Sequence, residues 1–321
     1  MAIELVDFDD AYRDFRDSLV SLHYSAWGGI DDLDSALRAR RSGFPFAPYL
    51  GIYAREGNAL LSGVFVSRYP LTTPDGPETV AGIELLMTRP DAVRRGLAGT
   101  LLQEVHRRER SAGHRLSLLC TGRSNLAHEL YLKLGYRDIF SPRSALRFVH
   151  RPTSDVPPGI RVRRAGDHEA PALARVHHRA NAGALGFTRR SPRSFRIRFL
   201  SGAIALRNLF VAERQGRVEG YATLEPHTTW NRAAEVVAPT LDVRRALMAS
   251  LERRSKGRWL ALASDWFSGV DDPELCRCTP LLPSYAVMMA CPLVSALRRR
   301  EPFRWLRSNG RPFACQLLDM F

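Results

Sequence analysis

Lysine is almost missing from this chain. Of its 47 lysine and arginine residues only Lys133 and Lys256 are lysines, so arginine carries the basic charge. That bias is the mark of a GC-rich coding sequence as much as of a polyanionic partner. Cysteine is sparse and odd in number: the five are Cys120, Cys276, Cys278, Cys291 and Cys315. Cys276-Arg277-Cys278 lacks the two-residue spacer and the second ligand pair of a zinc site. Reduced, mostly buried thiols are therefore expected, with no metal and no disulfide framework. Long apolar runs are absent too. The longest nearly apolar stretch, residues 285–297, falls short of the roughly 20 residues a membrane-spanning helix needs. The opening stretch MAIELVDFDDAYRDF has early acids and no signal-peptide core. A cytoplasmic protein without a membrane partner is the expectation.

What is present fits a folded protein of two parts. A length of 321 residues is long for one core, and two domains of about 150 residues each are the default. Hydrophobic residues make up 45% and charged residues 25%, which rules against wholesale disorder. The net charge of +14 is uneven: residues 1–150 hold 19 basic and 18 acidic side chains, residues 151–321 hold 28 and 15. A basic half can bind nucleic acid or an anionic surface. Its arginines, however, are scattered over helical segments without the aromatic interleaving of a single-strand platform. A nucleic-acid partner is not expected.

Hydrophobic period divides the first half into alternating elements. Residues 2–8 predict a strand, 10–27 a helix and 31–41 a shorter helix. Residues 49–54 and 60–68 read as a hairpin across Glu56-Gly57-Asn58, and 79–88 as a strand stopped by Pro90. A long helix is predicted from about Arg95 to Ser111, then a strand at 116–120, a helix at 125–134 and strands at 136–141 and 145–150. This order implies a mixed sheet with helices on both faces. Residues 151–159, RPTSDVPPG, form a linker. The second half, 160–321, repeats the order more loosely: a strand at 160–164, helices at 167–180 and 191–200, and a hairpin at 209–213 and 218–224. A strand at 233–238, a helix at 241–255 and strands at 259–263, 285–290 and 313–320 complete it.

One echo marks the duplication. Residues 93–102 read VRRGLAGTLL, and residues 243–252 read VRRALMASLE. A helix start presents backbone N–H groups without intrahelical partners at the positive end of its dipole. Such a start accepts a phosphate if no side chain blocks it. Gly96, Ala98 and Gly99 keep the first copy open, while Arg94 and Arg95 add charge. By this alignment Ala246, Met248 and Ala249 replace them in the second copy, and Met248 would fill the phosphate's volume. A tight strand-to-helix turn that needs glycine for itself is the other reading.

Neighbouring residues point to a family. Leu86-Met87-Thr88-Arg89-Pro90, followed by Val93-Arg94-Arg95-Gly96-Leu97-Ala98, resembles motif A of the GNAT superfamily of acyl-CoA N-acyltransferases. In that motif a strand L-x-V-x-P leads into R/Q-x-x-G-x-G/A. Ser124-Asn125-Leu126-Ala127-His128-Glu129-Leu130-Tyr131-Leu132-Lys133-Leu134-Gly135-Tyr136 resembles motif B, N-x-x-A-x-x-L-Y-x-x-x-G-F. Val93 departs from the R/Q position, with Arg94 as its substitute, and Ser124 stands at the Asn position with Asn125 next to it. The resemblance covers residues 1–150 well and the rest in outline. The layout is similar to mycothiol synthases and to enhanced-intracellular-survival acetyltransferases, which pair an active GNAT domain with a degenerate one. It implies an α/β (α+β) fold of tandem GNAT-like domains, each a mixed, mostly antiparallel sheet flanked by helices.

The resemblance also implies chemistry. Acetyl-CoA would be the cosubstrate, held by Leu86, Met87, Thr88, Arg94, Arg95, Gly96, Ala98, Gly99, Thr100, Ser124 and Asn125. A primary amine on a small molecule or peptide would attack the thioester directly, in a ternary complex. Tyr131 would be the general acid. Glu84 is the candidate base, because it lies two and four residues before Leu86 and Thr88 and so would share their face, with a pKa raised beside a buried strand. The Phe321 carboxylate is a second candidate, and water a third. His23, His106, His114 and His128 lack a carboxylate at motif spacing, so surface or capping roles are expected. The second domain would buttress the site, shape the acceptor channel or form a homodimer. A non-catalytic acyl-CoA sensor is the alternative.

Overall fold

The computed structural model describes residues 2–27, 49–73, 76–141, 144–152, 156–184, 186, 188–200, 202–263, 279–281 and 286–294. The helix expected at 31–41, the strand expected at 313–320, Phe321, Cys276, Cys278 and Cys315 lie outside the described residues.

The first half runs β1 (Glu4–Asp7), α1 (Phe8–Asp14), α2 (Arg16–Trp27), β2 (Gly51–Glu56), β3 (Ala59–Thr73) and β4 (Gly76–Thr88). It continues with α3 (Leu97–Ser111), β5 (Leu116–Gly122), α4 (Leu126–Lys133), β6 (Arg137–Phe140) and β7 (Ser144–Phe148). The second half runs β8 (Ile160–Arg164), α5 (Ala170–Ala180), α6 (Pro192–Leu200), β9 (Leu209–Arg214), β10 (Arg217–Pro226) and β11 (Trp230–Val237). Then come α7 (Leu241–Arg254), β12 (Trp259–Ala263), β13 (Thr279–Leu281) and β14 (Ala286–Pro292).

Two seven-stranded sheets result, in the orders β1-β2-β3-β4-β5-β14-β6 and β8-β9-β10-β11-β12-β7-β13. The two sheets thus repeat one strand order. Only β4–β5 and β11–β12 pair in parallel; the other described pairs are antiparallel. One position is filled reciprocally. The strand expected to finish the first set, β7, pairs with β12 and β13 in the second sheet. The strand predicted for the second set near residues 285–290, β14, lies between β5 and β6 in the first. Its Val287, Met289 and Cys291 are buried in the first core. Local period says that a strand exists; it does not say which sheet takes it.

Each face of the first sheet is covered by helices of matching pattern. Leu97, Leu101, Leu102 and Val105 fall on one stripe of α3 and pack on Ile52, Val64, Val66 and Ile83. On the other face Phe8, Leu19 and Leu22 of α1 and α2 pack on Tyr53, Phe65 and Met87. The far end of β3 meets the second half: Leu71 bridges Thr188, and the Gly186 N–H donates to the Thr72 carbonyl at 2.8 Å. Cys120 is half-buried and Cys291 buried, both as free thiols, and burial pushes Cys120 up to about 11.

Candidate functional site

A gap opens in the middle of the first sheet. β4 and β5 bridge only at Ala81–Ser117 and Gly82–Leu118. Beyond that point β4 continues to Thr88 against β3, and β5 continues to Gly122 against β14, but not against each other. Their facing edges therefore carry backbone groups that the ladder does not use.

A bulge in β4 sits at this gap. Phe65 pairs with Glu84 and Gly63 with Met87, so Leu85 and Leu86 stand together opposite Val64. Leu85 takes φ 47°, a conformation uncommon for a leucine. The extra residue breaks the two-residue alternation on which the expectation for Glu84 rested. Glu84 does not share the face of Leu86 and Thr88. It lies opposite Phe65, on the face covered by α1 and α2, together with Met87, whereas Leu86 packs with the α3 cluster. Ser62, buried beneath this stretch, donates to the Met87 carbonyl at 2.7 Å and lies 2.9 Å from the Thr88 hydroxyl.

Glu84 is buried and accepts a hydrogen bond from the Tyr69 hydroxyl. Tyr69 and Phe65 alternate on the same face of β3, and the Tyr69 ring crosses Gly82 to reach Glu84. A Cβ at Gly82 would stand 2.2 Å from that ring, so glycine is what lets the phenol lie flat across the strand. Sequence period missed Tyr69; the register pairs it with Val80 and sets it diagonally across from Gly82, and the bare glycine lets its ring lie over that position to reach Glu84. His23 is also on this side, buried, edge-on to Phe65 with ring centroids 5.5 Å apart. Burial lowers its pKa to about 4, which keeps it neutral. The expectation of surface or capping histidines fails for His23 and for His106, which is buried and lies 2.8 Å from the Tyr136 hydroxyl. His114 and His128 have carboxylate neighbours, Glu109 at 2.6 Å and Asp138 at 2.9 Å.

Past β4 the chain turns and enters α3. Gly96 is the N-cap, with φ 79°, and supplies no side-chain cap. An added Cβ at Gly96 would meet nothing within 4 Å, and one at Gly99 would meet only Leu130, at 3.9 Å. Packing does not demand a glycine at Gly99; bare backbone there leaves the first turn open. No acid lies in that turn, so the helix dipole is unopposed. Ala98 is half-buried and Thr100 exposed, with its hydroxyl 3.3 Å from the Gly96 carbonyl. Arg94 is exposed, at φ 64°, with no ion-pair partner among the described residues. Arg95 pairs with Glu56 at 2.8 Å, so its charge is partly matched already. Leu85 and Arg94 are two of the three non-glycine residues with positive φ among the described residues, and both flank this site; backbone strain concentrates at functional sites.

Leu130 brings α4 beside that first turn. Its neighbour Tyr131 is 7% exposed and sits in the α3-side core, edge-on to Tyr136. Desolvation raises its pKa to about 12. The Tyr131 hydroxyl has no hydrogen-bond partner among the described residues. Asn125 serves as the N-cap of α4, its side chain accepting from the Ala127 N–H at 3.0 Å, and Ser124 is exposed before it. Tyr131 and Glu84 thus belong to opposite faces of the sheet, and the parting of β4 from β5 is what joins those faces.

The second half repeats the strand order with its helix start capped. The echo at 243–252 is not in structural register with 93–102. Val93-Arg94-Arg95-Gly96 precedes its helix, whereas Val243-Arg244-Arg245-Ala246 lies inside α7, which starts at Leu241. Met248 therefore does not occupy the place of Ala98; it is a core residue, 1% exposed. What closes the second helix start is Thr240, whose hydroxyl accepts from the Val243 N–H at 3.4 Å, with Asp242 in the first turn. A side-chain oxygen and a carboxylate stand where an anion would need open amides. Thr240→Ala is expected to cost about 1 kcal/mol of stability, read from the urea midpoint; an unchanged midpoint would show that this cap is idle. Glu235, on β11 opposite Thr223, is held in turn by the buried Arg190 at 2.8 Å.

Among the described residues no group of three or more His, Cys, Asp or Glu is placed to hold a metal, and no helix is long and apolar enough to cross a membrane. Residues 49–144 match the family described as FR47-like protein. No curated protein matches the chain. Among solved structures, a GCN5-related N-acetyltransferase from Kribbella flavida is similar at TM-score 0.66 and 17% identity, over 90% of this chain and 70% of that one. A probable N-acyltransferase from Enterococcus faecalis is similar at TM-score 0.71 and 14% identity, over 95% and 74%. Eis1 from Mycobacterium abscessus is similar at TM-score 0.61 and 16% identity, over 91% and 74%. The chain thus has the fold of the GCN5-related N-acetyltransferases, with residues 49–144 matching the FR47-like protein family.

Proposed function

We propose that the first unit is an acyl-CoA N-acetyltransferase that binds acetyl-CoA at the gap between β4 and β5 and acetylates a primary amine in a ternary complex. One observation carries the reading. A helix start with open amides follows a strand that parts from its parallel neighbour, in a sheet with a buried phenol on one face and a buried carboxylate on the other, and this supports the reading.

Acetyl-CoA supplies the activated thioester. The Leu97, Ala98 and Gly99 amides, with Arg94 beside them, would hold its diphosphate, since these groups lack intrahelical partners. The free edge of β4 at Leu86–Thr88 would hold the pantetheine arm and polarise the carbonyl. Tyr131 keeps its proton well beyond neutrality because burial holds its pKa at about 12, and its Oη donates to the departing thiolate. Glu84, oriented by Tyr69, takes the proton of the acceptor ammonium, directly or through water. Aligning the two reactants contributes on the order of 7–11 kcal/mol to the lowered barrier. The second unit, with its helix start capped and Glu235 held by Arg190, completes the first sheet through β14 and shapes the acceptor side.

The test is thiol release from acetyl-CoA across a panel of aminoglycosides, polyamines, amino acids and peptide amines, alongside thermal shift with CoA. At a hundred times its Kd, CoA is expected to raise stability by about 2.7 kcal/mol, and at least one amine is expected to release thiol. Stabilisation without thiol release for any amine would favour a non-catalytic acyl-CoA sensor; no stabilisation at all would remove the proposal.

A further inference from the structure

The second sheet gathers aromatic side chains that the sequence scatters. Trp230 on β11 pairs in register with Trp259 on β12, and Trp259 with Phe148 on β7. Residues in register share a face, with strands about 4.8 Å apart. The three rings therefore form a row across three strands. Leu260, Leu262 and Val149 alternate to the other face, where they pack with Leu247 and Leu251 of α7. A histidine extends the row at each end. His227 stacks on Trp230, with ring centroids 4.0 Å apart and planes 7° from parallel, and His150 lies 4.6 Å from Phe148. Phe148 and Trp259 meet edge-on at 5.4 Å. The row is accessible: Trp259 is 44% exposed, His150 and His227 are exposed, and Trp230 and Phe148 are half-buried.

The surroundings of the row are basic. Segments 147–151, 225–232 and 256–259 hold Arg147, Arg151, Arg232, Lys256 and Arg258 against one acid, Glu225. Arg232 takes up that acid at 2.6 Å, and Arg147 pairs with Glu252 of α7 at 3.0 Å. Arg151, Lys256 and Arg258 are exposed, with no ion-pair partner among the described residues. Arg258 is fastened beside the stacked pair, donating to the His227 carbonyl at 2.9 Å. Accessible rings on a sheet hold unpaired bases by stacking, and cations beside them hold the phosphates. Like-charge repulsion opposes a second copy on this basic face. Among the described residues no exposed leucine, isoleucine or valine of this face accompanies Trp259, as a bilayer anchor would need. We infer that this face binds single-stranded nucleic acid, its bases stacked on Trp259 and the flanking rings and its phosphates on Arg151, Lys256 and Arg258. Linear order hides this aromatic interleaving, because residues 148, 227–230 and 259 meet only through strand pairing.

The probes are oligothymidylate and oligouridylate strands about twelve nucleotides long, titrated into the full chain by fluorescence anisotropy at low salt, with a duplex of the same length and inorganic polyphosphate as controls. At least one strand is expected to bind about tenfold more tightly than the duplex, and the tighter of the two identifies the sugar. Trp259→Ala is expected to weaken binding about tenfold, the loss of one stacked base, and Trp259→Phe to restore most of it. Arg258→Ala is expected to flatten the dependence of log K on log salt by about one. Circular dichroism checks the fold of each variant. If Trp259→Ala fails to fold, loss in Trp259→Phe of the tryptophan quenching produced by an unlabelled strand serves in its place. Absence of binding by both strands would overturn the inference, as would binding that polyphosphate matches and Trp259→Ala leaves unchanged. So would capture by anionic phosphatidylserine vesicles, or self-association lost in Trp259→Ala, with neither strand bound. Stabilisation by CoA is expected to be unchanged in Trp259→Ala, so failure here and failure of the acyl-transfer proposal are told apart.

Discussion

Replacing Tyr131 by phenylalanine is expected to lower kcat about a thousandfold, or about 4 kcal/mol of barrier, while the Kd for CoA changes less than twofold. The ring remains: Tyr131 is a core side chain edge-on to Tyr136, and phenylalanine keeps that contact. Only the hydroxyl goes, and it has no partner among the described residues whose loss would disturb folding. The pH profile gives an independent check. Burial raises the phenol from 10.0 to about 12, so the proton-bearing form persists through the neutral range and is lost only as pH rises through that value. The wild-type rate is therefore expected to show no alkaline limb from this group at ordinary assay pH. Unchanged turnover in Tyr131→Phe would confine Tyr131 to packing.

The second large effect is expected at the helix start. Ala98→Met places a flexible side chain over the open first turn of α3 and is expected to weaken CoA about a hundredfold, near 2.8 kcal/mol. The loss corresponds to one or two charge-assisted hydrogen bonds to phosphate. Methionine is a good helix former and Ala98 is only half-buried, so the helix itself survives. Undiminished CoA affinity, measured by calorimetry, would place the diphosphate elsewhere. The second unit reaches the same closed condition by other means. Thr240 caps its helix and Asp242 repels an anion, whereas Met248, which the repeated sequence sets against Ala98, is buried in the core.

That misalignment shows how far a linear reading goes. Hydrophobic period and turn residues locate nearly every described element, because both act within a few residues of chain. The glycine start of α3 and the long helix to Ser111 were legible for the same reason. Linear alternation assigns Glu84 to the wrong face, since one extra position at Leu85–Leu86 reverses the pattern and no local signal announces it.

By itself, then, the sequence determined most of the elements, their order and the bare backbone at Gly96 and Gly99, all consequences of short-range sterics and hydrogen bonding. Tertiary structure decided the rest. It set the bulge that turns Glu84 toward Tyr69, the parting of β4 from β5, and the exchange of β7 and β14 between the sheets. Those features depend on which distant strand each edge finds, and pairing across a hundred residues is settled by the packing of whole faces, not by the residues on either side.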